Sequence, residues 1–163
     1  MNYEIDGAFA KSEQILPFLN DVFIICFITV NIMFVFTTRL CFKTEQENYK
    51  ALFKFYRLYK IYFIVLFLCV IFSDYILSQS GDFKFSDPMI LATINTKFVI
   101  YLFVLCNFIY ISSKINIARK FYQENNIEET KENLIIASHY FGVLNIALLF
   151  FIIYLKVVIG EFK

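Results

Sequence analysis

Apolar residues dominate four stretches of the chain, 22–38, 61–78, 89–113 and 134–160, and polar residues gather between them. A helix needs roughly 20 residues to cross a hydrocarbon core of about 30 Å. Extending each run to its flanking polar residues predicts spans over 17–39, 58–78, 89–113 and 134–160. The pattern therefore predicts an all-α fold: a polytopic membrane protein folded as an antiparallel four-helix transmembrane bundle. The spans leave almost no chain for anything else, so residues 1–163 read as a single transmembrane domain without a soluble domain.

Local signals refine the elements. Pro17 suits the first turn of a helix, and Arg39 closes the first span with a stem long enough to snorkel. Residues 44–60 place Leu52, Phe53, Tyr56 and Tyr59 at helical spacing beside Lys50, Lys54, Arg57 and Lys60, which predicts a helix continuing into the second span. Residues 79–88 are rich in turn formers and predict a short connection. Asn126 followed by Glu129 predicts a helix N-cap with a carboxylate partner. Ser138 and Gly142 form a small-x-x-x-small pair suited to close helix packing. Residues 1–14 lack a basic n-region, so the first run reads as a retained span and not as a cleaved signal peptide.

Composition agrees. The chain is 60% hydrophobic with a mean hydropathy of +0.65, against about 45–50% apolar for a soluble domain. Net charge is only +1, but the charges are sorted. Arg39, Lys43, Lys50, Lys54, Arg57 and Lys60 lie between the first two spans; Lys114, Arg119, Lys120 and Lys131 lie between the last two. Basic loops stay in the cytoplasm, so both chain ends are expected outside. The same rule accounts for the basic loop without a nucleic-acid partner. The lipid bilayer is the expected partner, together with a homo-oligomer or a membrane-complex subunit role.

Candidate chemistry resides in the polar residues within the spans. Asp21, Asp74, Lys97 and Lys156 fall, one per helix, at the same end of the bundle. Each costs about 2.5–3.5 kcal/mol at a span centre, so a neutral cluster, separate snorkelling or an ion pair is expected. Asn31, Asn107 and Asn145 lie near the middles of three spans, as interhelical hydrogen-bond partners or as the wall of a polar pocket. His139, the only histidine, is either an interfacial side chain or a haem ligand. Cys26, Cys69 and Cys106 read as small buried hydrophobes and Cys41 as a reduced thiol, with no metal-ligand spacing among them. No P-loop, dinucleotide fingerprint, H-E-x-x-H motif or catalytic triad is present.

Four segments carry a family resemblance: Thr37-Thr38-Arg39-Leu40-Cys41-Phe42, Ile94-Asn95-Thr96-Lys97-Phe98, Ala118-Arg119-Lys120-Phe121 and Tyr154-Leu155-Lys156-Val157-Val158. They resemble the small four-helix bacterial protoporphyrinogen IX oxidase family and the related copper-resistance-D-type membrane domain. The resemblance implies a bacterial inner-membrane location and, in oxidase members, haem held by a first-span histidine. This chain has Asn20, Asp21 and Phe23 in that neighbourhood and no tryptophan; Lys97 alone carries over. Three functions follow. The leading one is a non-catalytic accessory or binding component of the inner membrane. The second is a haem-linked membrane oxidoreductase with His139 or Lys97 near the ligand. The third, an ion pathway through the charge cluster, ranks last because no span contains an internal proline break.

Overall fold

A computed structural model describes residues 12–43, 48–80 and 88–161, and each apolar run lies in a long helix. Helix α1 is Ser12–Lys43, α2 is Tyr49–Ser80 and α3 is Pro88–Gln123. The last span is composite: α4 (Ile127–Ile135), a π-helical segment (Ile136–Gly142) and α5 (Val143–Glu161) follow one another without a break. Taken this way, four helices are long and apolar enough to span a membrane.

The helices extend past the runs that predict them. The 36 residues of α3 correspond to about 54 Å at 1.5 Å per residue, well beyond a hydrocarbon core of about 30 Å. The basic stretch before the second span joins it, since α2 already begins at Tyr49. Pro17 is not in the first turn as expected; α1 starts earlier, at Ser12, and encloses it. Residues 81–87, most of the predicted turn-rich connection, and residues 1–11 and 44–47 lie outside the described residues.

The α3–α4 corner follows from its asparagines. Asn125 has φ 58°, in the left-handed region that asparagine tolerates better than most residues. The Asn126 N–H donates to the Phe121 carbonyl at 2.9 Å and the Asn125 N–H to Tyr122 at 3.2 Å, which closes α3 as a Schellman motif. Asn126 Oδ1 then accepts the Glu129 N–H at 3.2 Å. Only half of the predicted reciprocal cap forms, because the Asn126 N–H already serves the α3 terminus.

Helix α1 packs along α2 on one side and against the π segment and α5 on the other, and α3 packs against α4, the π segment and α5. The α2 and α3 backbones approach less closely. Large side chains bridge them: Phe63 and Phe108 stack at 3.9 Å with ring planes 5° apart. Phe27 meets Phe63 edge-on at 4.8 Å, and Phe34 stacks on Tyr59 at 4.2 Å. This aromatic spine joins three helices, each pair adding about 0.5–1.5 kcal/mol beyond area burial. The outer surface is lined with exposed side chains such as Phe36, Leu68, Phe72, Leu102, Phe103 and Phe150, far more apolar than a water-facing surface sustains. Cys26 and Cys106 correct the sequence expectation: both are exposed on this outer face, and Cys69 is half-buried. Large aromatics occupy the interior, and in lipid an outward-facing small hydrophobe carries no penalty.

Gly142 closes the π segment where α1 packs against it. A Cβ there would meet Val35 Cγ2 at 2.9 Å and Phe34 Cε1 at 3.1 Å, so α1 and the π segment touch at a position without a side chain. Ser138, one turn earlier, is also buried and donates to the Leu134 carbonyl at 2.8 Å. Gly142→Leu should destabilise the bundle by about 1–3 kcal/mol through overpacking, read as a lower denaturation midpoint in detergent. Adding Val35→Ala should recover part of the loss.

Candidate functional site

The antiparallel arrangement brings the start of α1, the end of α2, the first third of α3 and the end of α5 together at one end of the bundle. Asp74 on α2 and Lys97 on α3 form an ion pair there, Nζ to Oδ1 3.0 Å. Both are buried, with 2% and 7% of their surfaces exposed. Asn20 of α1 donates from Nδ2 to Asp74 Oδ1 at 3.1 Å and to Ser73 Oγ at 2.7 Å. The Tyr101 hydroxyl, on the α3 face of Lys97, donates to Asp74 Oδ2. One carboxylate thus accepts from α1 and from two residues of α3. These partners offset the desolvation that makes an isolated buried charge so unfavourable.

The cluster continues outward. Lys156 of α5 donates to Asn20 Oδ1 at 2.6 Å and pairs with Asp21. Asn20 therefore uses both ends of its amide, its nitrogen toward the buried pair and its oxygen toward the outer one. The four ionisable residues singled out in the sequence join one network, balanced at two acids and two bases. They are not equivalent: Asp21 is 56% and Lys156 27% exposed at the side chain, so the second pair sits at the rim.

The mid-span amides form two separate links and not one pocket wall. Asn31 donates to the Phe27 carbonyl at 2.8 Å and accepts from the Tyr59 hydroxyl at 3.1 Å, tying α1 to α2. Asn107 donates to Asn145 Oδ1 at 2.9 Å and to the Phe141 carbonyl at 3.2 Å, tying α3 to α5 and the π segment. The second of these bonds reaches a carbonyl inside the π segment. Asn145 Nδ2 is buried and has no hydrogen-bond partner among the described residues. A further α1–α2 link joins the Thr38 and Tyr56 hydroxyls at 2.8 Å.

His139 belongs to the opposite, basic end. Its Nδ1 lies 2.9 Å from Ser138 Oγ, and its ring stacks on Phe42 at 6.3 Å. It lines a groove of about 450 Å³ with Arg39, Phe42, Lys43, Lys131 and Ile135. Lys97 and His139, the two residues considered near a haem, do not converge: the first is held by Asp74, and the second shares its groove with three cations. Between the two ends lies the packed Phe27–Phe63–Phe108 spine. This arrangement does not fit a haem held jointly by the two. Among the described residues no group of three His, Cys, Asp or Glu side chains is placed to hold a metal ion.

Asn20, Ser73 and Tyr101 carried no functional signal in the sequence. Asn20 and Ser73 each adjoin a noted aspartate, and Tyr101 lies four residues beyond Lys97, on the same helix face; that spacing is the one cue that was available. The π segment had no cue beyond Ser138 and Gly142. Fold and site together define a four-helix polytopic membrane bundle clasped by a buried ion-pair network. Compared with protein-family models, curated proteins and solved structures, the chain has no match.

Asp74→Ala leaves a buried ammonium without its carboxylate and should destabilise by about 3–5 kcal/mol, whereas Asp74→Leu combined with Lys97→Leu should lose much less. Asp21→Asn, at the rim, should change stability by about 0–1 kcal/mol. Chemical denaturation in detergent micelles reads all three. A double-mutant cycle on Asn107 and Asn145 should give a coupling of about 0.6 kcal/mol and not above about 1.7 kcal/mol.

Proposed function

We propose that this chain is a non-catalytic four-span protein of the bacterial cytoplasmic membrane, an accessory or binding component whose charged cluster acts as a clasp between helices. The observation that carries this reading is the occupancy of Asp74. Its Oδ1 receives Lys97 and Asn20, and its Oδ2 receives Tyr101. A carboxylate engaged on both oxygens by three neighbours from two other helices is suited to fixing geometry and poorly suited to exchanging protons with a substrate. The mid-span amides act in the same sense, each bonding to a neighbouring helix.

Orientation follows from charge. The end that carries Arg39, Lys43, Lys54, Arg57 and Arg119 faces the cytoplasm, because Lys and Arg flanking spans are retained there. Both chain ends and the Asp74 clasp then face outward. The apolar outer surface contacts lipid and offers the area through which a larger membrane complex or a second copy would pack.

An absorption spectrum of the protein purified in detergent tests the reading. The expected spectrum is that of aromatic side chains alone. A stoichiometric Soret band would overturn the non-catalytic assignment in favour of a haem-linked membrane oxidoreductase of the oxidase-like kind. Reporter fusions at the two chain ends should both read outside the cytoplasm; cytoplasmic signal from both would reverse the orientation.

A further inference from the structure

The basic end contains a second groove, between α2 and α3, where the two backbones are farther apart than at the α1–α2 contact. It measures about 190 Å³ and is lined by Tyr56, Arg57, Lys60, Ile115 and Arg119. Arg57 and Lys60 are one turn apart on α2, and Arg119 faces them from α3. Like charges at this spacing repel, and none of the three forms an ion pair among the described residues. Lys60 is nevertheless half-buried and held in place: its ammonium donates to the Ser112 carbonyl at 3.3 Å and to Asn116 Oδ1 at 3.0 Å. Arg119 lies over the Phe53 ring at 5.5 Å. Two of the three cations are thus positioned by neutral partners, leaving their charge uncompensated.

Depth identifies what supplies the compensation. Lys60 is the last residue before the apolar run of α2 begins at Ile61, so the groove sits at the level of the headgroups. Four and eight residues further along the same helix face, Ile64 and Leu68 are exposed. A cationic groove thus continues directly into a lipid-facing aliphatic stripe. That sequence of surfaces matches an anionic phospholipid: phosphate on the cations, acyl chain along the stripe. Basic pockets between membrane helices bind such headgroups.

We propose that the α2–α3 groove is a binding site for the phosphate headgroup of an anionic membrane phospholipid, with Arg57, Lys60 and Arg119 as its ligands. The site depends on the chain residing in a bilayer and is independent of which side the groove faces.

The test uses the full chain, stripped of lipid in a non-ionic detergent and titrated with phosphatidylglycerol, phosphatidylcholine or inorganic phosphate. Native mass spectrometry reads the bound lipid, and a thermal melt reads stabilisation. Phosphatidylglycerol should be retained and should raise the melting temperature; phosphatidylcholine and inorganic phosphate should do neither. The pair Arg57→Gln and Arg119→Gln should weaken phosphatidylglycerol retention by about tenfold or more, while the melt in detergent alone stays at the wild-type value. Replacing both arginines by lysine should restore most of the retention. Arg39→Gln with Lys131→Gln, which removes equal charge from the α1–α4 groove, should leave it intact. Unchanged retention in the Arg57/Arg119 variant, equal loss in the Arg39/Lys131 variant, or equal stabilisation by inorganic phosphate would each overturn the site. Any of these with a bundle that still melts like wild type leaves the clasp reading standing, so the two fail separately.

Discussion

The ion pair between Asp74 and Lys97 is the constraint around which the bundle is arranged. A charged residue within a span is unfavourable, by about 2.5–3.5 kcal/mol at the span centre, and this chain buries one on each of two adjacent helices. Once they meet, with Asn20 and Tyr101 completing the carboxylate's hydrogen bonds, alternative registers of α2 against α3 would separate two charges in an apolar medium. In lipid the hydrophobic effect does not drive helices together, so polar contacts of this kind determine which helix faces which. The constraint falls where it has most effect, since α2 and α3 have the least backbone contact of the neighbouring helices.

The rest of the interior works with that constraint. The stacked Phe63 and Phe108 fill the α2–α3 gap below the ion pair, and Asn31 with Tyr59 and Asn107 with Asn145 pin the α1–α2 and α3–α5 interfaces at mid-depth. Gly142 lets α1 approach the last span, and the local change to π geometry leaves the Phe141 carbonyl within reach of Asn107. π segments inside α-helices occur often at functional positions; here the segment supports helix contact. The two ends of the molecule differ in consequence. At the clasp end acids and bases balance. At the other end cations gather in two grooves, and His139 stacks on Phe42 beside Arg39, Lys43 and Lys131.

Much of the architecture was legible in the sequence because length and hydropathy dictate it. The four spans, the continuation of α2 upstream of Ile61 and the break at Asn125–Asn126 each have a local cause. The charge layer was legible for a similar reason: Asp21, Asp74, Lys97 and Lys156 stand out in apolar runs, and antiparallel order places them at one end. Their pairing was not legible. Asn20 and Ser73 look like ordinary boundary residues, and Tyr101 is one of 11 tyrosines in the chain, so nothing local marks it as a donor to Asp74. Facing was equally hidden, since both sides of a membrane helix are apolar; that is why Cys26 and Cys106 were expected inside and lie outside.

The bundle depends on direct contact between the Lys97 ammonium and the Asp74 carboxylate inside the membrane. Solid-state NMR measures this in bilayers through the dipolar coupling between lysine side-chain nitrogen-15 and aspartate carboxyl carbon-13, in an Asp21→Asn background that removes the rim pair. A strong coupling that disappears on Lys97→Met is the result expected from this structure. A protein that is folded in the bilayer yet shows no lysine–aspartate coupling would contradict it.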